Sequence, residues 1–533
     1  MALPGGTELG ETGGDPPTPA MGSAGRAAAS GYLTGVTGIL VLVGVFFALL
    51  MGGMDALVVS TVLPNIASDL HQVDGVTFVV SAYLISSTLA IPIFARLSDI
   101  SSRRNVFLAG LSIFIVGSAL AGISQNLGEL ILFRGIQGFG GGGVFPVAIA
   151  MVGVLYPPAT RARAVGALSG AAGLSVVLGP LLGSYIVSVT TWRWVFYINL
   201  PFGVAAIAIT FFAIGPLRPA VSGAFDTAGA ALLSSWVGAL MFALVQVSDA
   251  GWAWTDPRTA GLLAGAVVAF ALFLWWELRN PQPLVPLRLL GQRVIGASSG
   301  IMLFTGVVFS SAITFLSVFV GIVLLHQGPD AAARVRDIIY FFAVPMIVGA
   351  AVSGQLLTRL SYRTVVAPGL LVAGFAGFLL TQLSPTVPLW VLAFGFVPVG
   401  GIALPLIPMG FGLGLTLAGS QVAVLNEAPK ESVGAAVGLT RFFQSLGGAL
   451  GISLLTVFAS WRYQTLSSGA QSASAFANAL VSSYNEVFLV LAVCILIAFG
   501  FGLFLVGKQR SAAPSEPETA PALDAVVPPT PKT

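Results

Sequence analysis

The sequence predicts an all-α membrane protein with fourteen transmembrane helices, and three observations support this fold class. The composition is apolar: 56% of the 533 residues are hydrophobic and 8% are charged, whereas a soluble chain carries roughly 25% charged residues. Apolar stretches of about twenty residues, the length that crosses a bilayer, recur along the chain. Three short sequence patterns also occur twice, in the same order. Since so few charges cannot cover a water-facing surface, we expect lipid to be the solvent.

The apolar stretches predict where each helix crosses the membrane. Because their number is even, both termini should lie on the same side. The predicted spans lie near 36–62, 76–96, 105–124, 129–155, 163–188, 194–216, 227–248, 258–278, 295–325, 337–358, 364–384, 389–425, 438–461 and 486–507.

The distribution of basic residues predicts the orientation. With cytoplasmic termini, fourteen basic residues fall in inner loops and five in outer loops, which agrees with the positive-inside rule. We therefore expect a multi-pass cell-membrane protein with both termini in the cytoplasm. The inner set is Arg96, Arg103, Arg104, Arg161, Arg163, Arg218, Arg279, Arg288, Arg293, Arg359, Arg363, Lys430, Lys508 and Arg510; the outer set is Arg193, Arg258, Arg334, Arg336 and Arg462.

The composition also argues against several classes of function. A net charge of +3 with scattered basic residues disfavours nucleic-acid binding. The chain has no GxxxxGK[ST] phosphate loop, and its helices contain no clustered His, Asp or Cys of the kind that a membrane enzyme needs. We therefore expect no enzymatic activity, no cofactor and no metal. The segments 1–32 and 508–533, poor in large apolar residues, are predicted to be disordered cytoplasmic tails.

The repeated patterns predict two related halves. Helices 1–6 and 9–14 should form six-helix bundles over 33–216 and 294–507, and helices 7 and 8 should be inserted within the linker 217–293. Parallel repeats of this kind are typical of secondary transporters, whose substrate site lies between the halves. The three pairs are ARLSDISSRR (95–104) with GQLLTRLSYR (354–363), GFGGGG (138–143) with GFGLGL (410–415), and LGPLLG (178–183) with LGGALG (446–451), at offsets of 259, 272 and 268 residues.

The second half contains about thirteen extra residues between its second and fourth helices, as the offsets change from 259 to 272. They fall in the run 386–410, which has four prolines and is too long for one simple span. We interpret this run as a lengthening of the hairpin between helices 11 and 12 on the outer side.

Two buried charges need an explanation. Asp55 lies within LLMGGMDALVVSTVLPN (49–65), and Arg134 lies inside helix 4. A charge at the centre of a membrane helix costs about 2.5–3.5 kcal/mol on insertion scales, so such residues usually have a partner and a function. The position 272 residues after Arg134 is Leu406, so these costly charges concentrate in the first half, as we expect of a coupling site confined to one half. The plainer alternatives are that Asp55 bonds only to a neighbour and that Arg134 is an interhelical anchor.

Further candidate residues lie at the inner end of helix 2 and within helix 5. Asp99 can pair with Arg103 or with a neighbouring helix end and so hold the cytoplasmic side closed, with Arg104 following in the same turn. The alternative is an ordinary positive-inside loop. In helix 5, small residues permit close packing and a proline permits bending, although ordinary glycine packing would explain them too; these residues are Gly170, Gly179, Pro180 and Gly183.

Together these motifs resemble the major facilitator superfamily, in its fourteen-helix drug:proton antiporter branch. ARLSDISSRR resembles the family's loop motif, with Ala95 and Ser102 in place of two glycines. The stretch DALVVSTVLP (55–64) resembles the helix 1 motif of the branch, and WRWVFYINLPFG (192–203) meets its helix 6 motif in full. The helix 4 motif is met by Arg134, Gln137, Gly138 and Gly140, and the antiporter motif by Gly170, Gly179, Pro180 and Gly183.

The resemblance implies an exporter in which Asp55 and Arg134 take part in proton coupling. From the residues alone, a buried carboxyl group tends to hold a proton, and an approaching cation or an open water path favours its release. We expect the partners to be protons, an amphiphilic drug-like or lipid substrate and membrane lipids, and we expect a monomer. The predicted substrate-binding residues are Tyr83, Gln137, Asn199, Tyr340 and Gln444.

Three alternatives stay open. Because acids other than Asp55 are scarce in the expected cavity, neutral or lipid-like cargo fits as well as cationic drugs, and the lengthened hairpin could guide a lipid outward. A lipid exporter of the same fold is therefore the first alternative. A membrane sensor and a passive channel are the others, although neither needs the antiporter motif.

Overall fold

The computed structural model describes residues 33–505 except for 34, 73–74, 77, 216, 218, 222, 249–251, 320–330, 383–391, 395–396, 400–402 and 469–471. Within these residues, 14 helices are long and apolar enough to cross a membrane, which confirms the predicted number. The predicted tails 1–32 and 508–533 lie outside the described residues. The helices are α1 Gly35–Asp69, α2 Phe78–Ile100, α3 Arg103–Ile123, α4 Leu127–Leu155, α5 Pro158–Val189, α6 Trp194–Ala213, α7 Thr227–Ser248, α8 Pro257–Arg279, α9 Arg293–Val318, α10 Ala331–Leu356, α11 Tyr362–Leu379, α12 Ala403–Glu427, α13 Val433–Ser467 and α14 Ala473–Leu503.

The predicted helix 389–425 is wrong in its first part. The chain there forms two short antiparallel strands, β1 Leu392–Phe394 and β2 Val397–Val399, and α12 begins only at Ala403. Pro398 lies within β2, and proline cannot supply the backbone N–H that a helix interior needs. The extra residues of the second half therefore include a pair of short strands between α11 and α12, rather than longer helices.

Two helices, α13 and α14, extend beyond their predicted bounds. We call the end of the bundle that holds Gly35 and Leu503 the terminal side, and the opposite end, where this extension lies, the far side. Helix α13 continues to Ser467, and α14 begins at Ala473 rather than near 486. The hydroxyl of Ser472 accepts a hydrogen bond from Ala475 N at 3.2 Å and so caps the start of α14.

Helix packing repeats between the first six and the last six helices. The contacts of α2 with α4, of α3 with α4 and of α1 with α5 recur as α10 with α12, α11 with α12 and α9 with α13. Contacts between the two sets are made chiefly by α5 with α10 and by α2 with α13. Helix α7 packs against α2 and α13, with α8 beside it. The division into bundles at 33–216 and 294–507 is consistent with this packing and remains our prediction.

Glycine explains why the packing repeats. A Cβ atom on Gly142 of α4 would lie 2.1 Å from the Ser87 carbonyl oxygen of α2, and one on Gly414 of α12 would lie 2.2 Å from the Met346 carbonyl oxygen of α10. Neither position can hold a larger residue. The two glycines are 272 residues apart and occupy the same place in the repeated GFGxGx pattern. Small residues allow membrane helices to approach at backbone distance. The repeat in the sequence is thus a repeat of helix crossings.

Candidate functional site

Asp55 lies at the centre of a buried network of polar side chains. Its side chain is enclosed by α1, α4 and α6, and the residue is 1% exposed. The Oδ1 atom accepts hydrogen bonds from Gln137 Nε2 at 2.8 Å and from Asn199 Nδ2 at 2.9 Å. The Oδ2 atom accepts one from Arg134 Nη1, which makes an ion pair. The carboxylate is thus bonded on both oxygens, as a charge in lipid surroundings must be.

Arg134 is completely buried and is held on several sides. Its Nε donates to the Val79 carbonyl oxygen at 3.2 Å, and its Nη1 also donates to Gln137 Oε1 at 2.7 Å. The guanidinium carbon lies 4.3 Å from the centre of the Tyr83 ring. These contacts come from α2 and from α4 itself. The ion pair with Asp55 therefore links three helices of the first half.

A second group of contacts orients the amides that bind Asp55. The Ser118 hydroxyl of α3 accepts from Gln137 Nε2 at 3.1 Å and from Asn199 Nδ2 at 3.0 Å, and it donates to the Phe196 carbonyl oxygen at 2.9 Å. That carbonyl belongs to the turn just before the start of the Asn199 segment of α6. Each amide therefore presents N–H groups, rather than its oxygen, to the carboxylate.

The glycines of α5 hold α1 in place next to Asp55. A Cβ on Gly179 would lie 2.7 Å from Leu57 Cβ, and one on Gly183 would lie 2.6 Å from Thr61 Oγ1. Gly170 faces α10 instead, at an ordinary contact distance of 3.6 Å from Ile347. Pro180 lies within the helix, which is continuous through it. These residues hold α5 between α1 of the first half and α10 of the second, where the predicted bending would act.

Asp99 connects the two halves on the terminal side. Its two carboxylate oxygens accept hydrogen bonds from Gly434 N at 2.9 Å and Ala435 N at 2.7 Å, in the first turn of α13. Arg103 Nη2 donates to the same carboxylate at 3.1 Å. A carboxylate is stabilised at a helix N-terminus by the orientation of the backbone dipoles. Asp99 therefore bonds to Arg103 and to a neighbouring helix end at the same time, the two partners that the sequence suggested for it.

Arg104 lies away from this contact. Its Nη2 donates to the Phe211 carbonyl oxygen at 2.8 Å, and its guanidinium lies over the Phe211 ring at 4.6 Å. It therefore attaches α3 to the end of α6 within the first half. The backbone carbonyl of Asp99 accepts hydrogen bonds from Ala220 N at 2.9 Å and Val221 N at 3.1 Å. The segment before α7 is therefore also bonded to the end of α2.

The predicted substrate-binding residues fall into two groups, and their role remains a prediction. Gln137 and Asn199 bind Asp55 directly and are at most 1% exposed. The Tyr83 hydroxyl donates to the Gly52 carbonyl oxygen at 3.0 Å. Tyr340 is half-buried in α10, and Gln444 of α13 accepts a hydrogen bond from Arg441 Nη1 at 2.5 Å. The first three residues thus belong to the Asp55 network, and the last two belong to the second half.

Arg441 is a charged residue that the sequence-based prediction missed. It lies inside α13, within a membrane span, and its guanidinium lies 4.4 Å from the centre of the Phe145 ring of α4. The second half therefore also carries a costly charge, beside the two that concentrate in the first half. The signal was present, since position 441 falls within the predicted span 438–461.

Comparisons with known proteins agree with this fold. Residues 45–452 match the family model described as Major Facilitator Superfamily. The chain is 32% identical over 419 residues to the Multidrug transporter protein MdtP of Bacillus subtilis (strain 168), covering 78% of this chain and 74% of the relative. It is 29% identical over 500 residues to a triacylglyceride transporter of Mycolicibacterium smegmatis (strain ATCC 700084 / mc(2)155), covering 89% and 88%.

A solved structure shares the architecture. The crystal structure of the human organic anion transporter MFSD10 (TETRAN) superposes with a TM-score of 0.58 and 16% identity, over 87% of this chain and 100% of that one. At this identity the similarity shows the fold alone. The family match covers most of the chain, as the motifs in α1, α2, α4, α5 and α6 imply. The chain is therefore a membrane transporter rather than an enzyme, and it belongs to the major facilitator superfamily.

Proposed function

We propose that this protein is a proton-coupled antiporter that exports amphiphilic or hydrophobic small molecules by alternating access. It acts as a monomer in the cell membrane, with both termini in the cytoplasm. The observation that carries the proposal is the buried carboxylate of Asp55, bonded to Arg134, Gln137 and Asn199. The relatives named as multidrug transporters support this class of substrate.

The network suits a carboxyl group that gains and loses a proton. Protonation of Asp55 neutralises its charge, which weakens the ion pair with Arg134 and removes one acceptor of the two amides. Loss of the proton restores all three contacts. Because these donors come from α4 and α6 while Asp55 lies on α1, a change in protonation alters how three helices hold together. Proton binding is thereby coupled to helix movement.

Asp99 supplies the second element of the cycle. Opening the terminal side requires the Asp99 carboxylate to leave the backbone N–H groups of Gly434 and Ala435. Closing that side restores them, and Arg103 stays on the same carboxylate as an alternative partner. The transmembrane potential contributes about 2.3 kcal/mol per charge per 100 mV to such a cycle. Inward movement of protons can therefore drive export of a substrate.

The test of proton coupling is the Asp55→Asn variant in proteoliposomes. Asparagine keeps the size and one acceptor oxygen but cannot exchange a proton, so we expect folding and insertion to persist while export driven by a pH gradient is abolished. The matched control is Asp69→Asn, which changes another acid of α1 that is exposed near the far side. Its export should stay close to wild type. A normal rate of gradient-driven export by Asp55→Asn would contradict the proposal.

A lipid exporter of the same fold is the second candidate. Relatives named as triacylglyceride transporters cover 89% and 90% of this chain, more than the 78% covered by the first multidrug relatives. The β1–β2 hairpin precedes α12 in the segment where we expected an outward projection. These observations favour a lipid that is guided along the hairpin after it leaves the helices.

Deletion of residues 393–398 tests this candidate. Leu392 and Val399, which then flank the cut, are antiparallel partners, and the Cα atoms of such partners lie about 5 Å apart, so the two residues can be joined with little distortion. If the hairpin guides lipid, the deletion should reduce export of triacylglycerol from proteoliposomes while export of a soluble cationic dye continues. Unchanged export of both compounds would remove the lipid-guiding role.

A further inference from the structure

Arg441 is a cation within the membrane-spanning part of α13. It lies eight residues after Val433, the first residue of α13, which places it about 12 Å along the helix. No carboxylate in the described part of the chain lies within ion-pair distance of it. Its hydrogen bond to Gln444 Oε1 uses one of the five N–H donors of a guanidinium.

The position of Arg441 is at the boundary between the two halves. Helix α13 belongs to the second set of helices, yet the guanidinium lies over the ring of Phe145 in α4, 4.4 Å away. Nearby, the hydroxyls of Thr88 in α2 and Ser445 in α13 share a hydrogen bond of 2.7 Å. Arg441 is half-buried, whereas Arg134 is completely buried. A molecule held between the halves would therefore reach Arg441 but not Arg134.

A guanidinium that membrane helices take partly out of water needs compensation for the water it has lost. The face of an aromatic ring and one amide oxygen supply part of it for Arg441, but a guanidinium is matched best by the oxygens of an anion. Among the described residues Arg134 has such an anion, since it bonds one carboxylate oxygen of Asp55, and Arg441 has none. An acidic substrate can supply these oxygens to Arg441.

We propose that Arg441 binds the acidic headgroup of an anionic amphiphile, with the Phe145 ring against the adjoining apolar carbons. The chemical class is a carboxylate, sulfate or phosphate on an apolar tail. This inference rests on the proposed function and adds the substrate's charge to it. The Asp55 network then carries the proton while Arg441 recognises the cargo, so the two tasks are divided between the halves.

The test compares three dansyl-labelled undecyl probes that share one tail and end in a carboxylate, a neutral amide or an ammonium group. Binding to the purified full-length protein is followed by dansyl fluorescence at pH 8. The wild type should bind the carboxylate roughly tenfold to a hundredfold more tightly than the amide, the range expected for a hydrogen-bonded charge. Arg441→Gln should abolish that preference while its affinity for the amide stays unchanged, and Arg441→Lys should retain part of it.

Two results would overturn the inference. One is a wild-type protein that binds the carboxylate and the amide equally. The other is an Arg441→Gln variant that keeps the wild-type preference, which would make Arg441 only a packing cation against Phe145. The control variant is Arg462→Gln, because Arg462 is already paired with Glu486 between α13 and α14. The assay needs no pH gradient, so a failure of proton coupling in Asp55→Asn proteoliposomes leaves its outcome unaffected.

Discussion

Arg134 of α4 and Arg441 of α13, two arginines in membrane-spanning helices, have opposite surroundings. Arg134 is paired with Asp55 and surrounded by Val79, Gln137 and the Tyr83 ring. Among the described residues, Arg441 has one amide oxygen and one ring face. The first arginine belongs to a buried network with a carboxylate, and the second faces the boundary between the halves.

This difference shows that the repeated helix crossings do not impose repeated chemistry. Gly142 and Gly414 make equivalent crossings in α4 and α12, yet the counterpart of Arg134 by the same offset is Leu406, which is buried and apolar. Arg441 of the second half lies on a different helix of its bundle, α13. The two halves therefore share helix crossings but place these arginines differently.

Removal of Arg134 should give the largest loss of stability. Arg134→Gln leaves Asp55 buried without a cation, and breaking a buried ion pair from one side typically costs about 3–5 kcal/mol of unfolding free energy. In the Asp55→Asn background the same substitution should cost much less, because no carboxylate is then left unpaired. Equilibrium unfolding in mixed detergent micelles measures both values.

The matched change in the second half is Arg441→Gln. Since no carboxylate among the described residues depends on it, we expect the unfolding free energy to stay within about 1 kcal/mol of the wild type. Equal losses at Arg134 and Arg441 would contradict the contrast drawn between them. A similar loss from Arg134→Gln with and without Asp55 would show that the two side chains are not energetically coupled.

The sequence predicted the fold well because lipid solvent leaves few choices. Spans of about twenty apolar residues must be helices that satisfy their own backbone, and all fourteen were found. The prediction failed at residues 392–394 and 397–399, where high hydropathy was taken for a membrane helix and the chain forms two strands. Hydropathy does not distinguish a helix from a short hairpin of β-branched and aromatic residues, and the prolines there were the better guide.

Only part of the site could be predicted from the sequence, because a charge is conspicuous there and a contact is not. Asp55 and Arg134 are conspicuous because a charge in an apolar run is rare, but no sequence spacing could show that they pair, since 79 residues separate them. Asn199 and Ser118 are ordinary polar residues in sequence, and only the fold brings Asn199 to the Asp55 carboxylate and Ser118 to the Asn199 amide. Arg441 belongs to none of the motifs quoted from the sequence, and only the fold brings it against Phe145 of the other half.

Asp69 offers the mildest test, at the exposed far-side end of the helix that carries Asp55. Hydrogen bonds from Arg193, at 2.7 Å, and Trp192 lower the pKa of the Asp69 carboxyl group. The folded pKa lies below the unfolded value of about 3.9, so the stabilisation is fully present above that pH and is lost as the pH falls through the folded pKa. Asp69→Asn should therefore lower the unfolding free energy by only about 0.5 kcal/mol near neutral pH, because solvent screens the pair.

The pH dependence distinguishes this exposed pair from the buried one. Thermal unfolding of wild type and Asp69→Asn should differ slightly near neutral pH and converge as the pH falls below about 3.9. Arg193→Gln should give the same small difference and the same convergence, because it removes the other partner of the pair. A difference that persisted unchanged to pH 3 would mean that Asp69 stabilises the far side through its shape rather than its charge. In that case Asp55, and not Asp69, would be the acid of α1 that stabilises the protein through its charge.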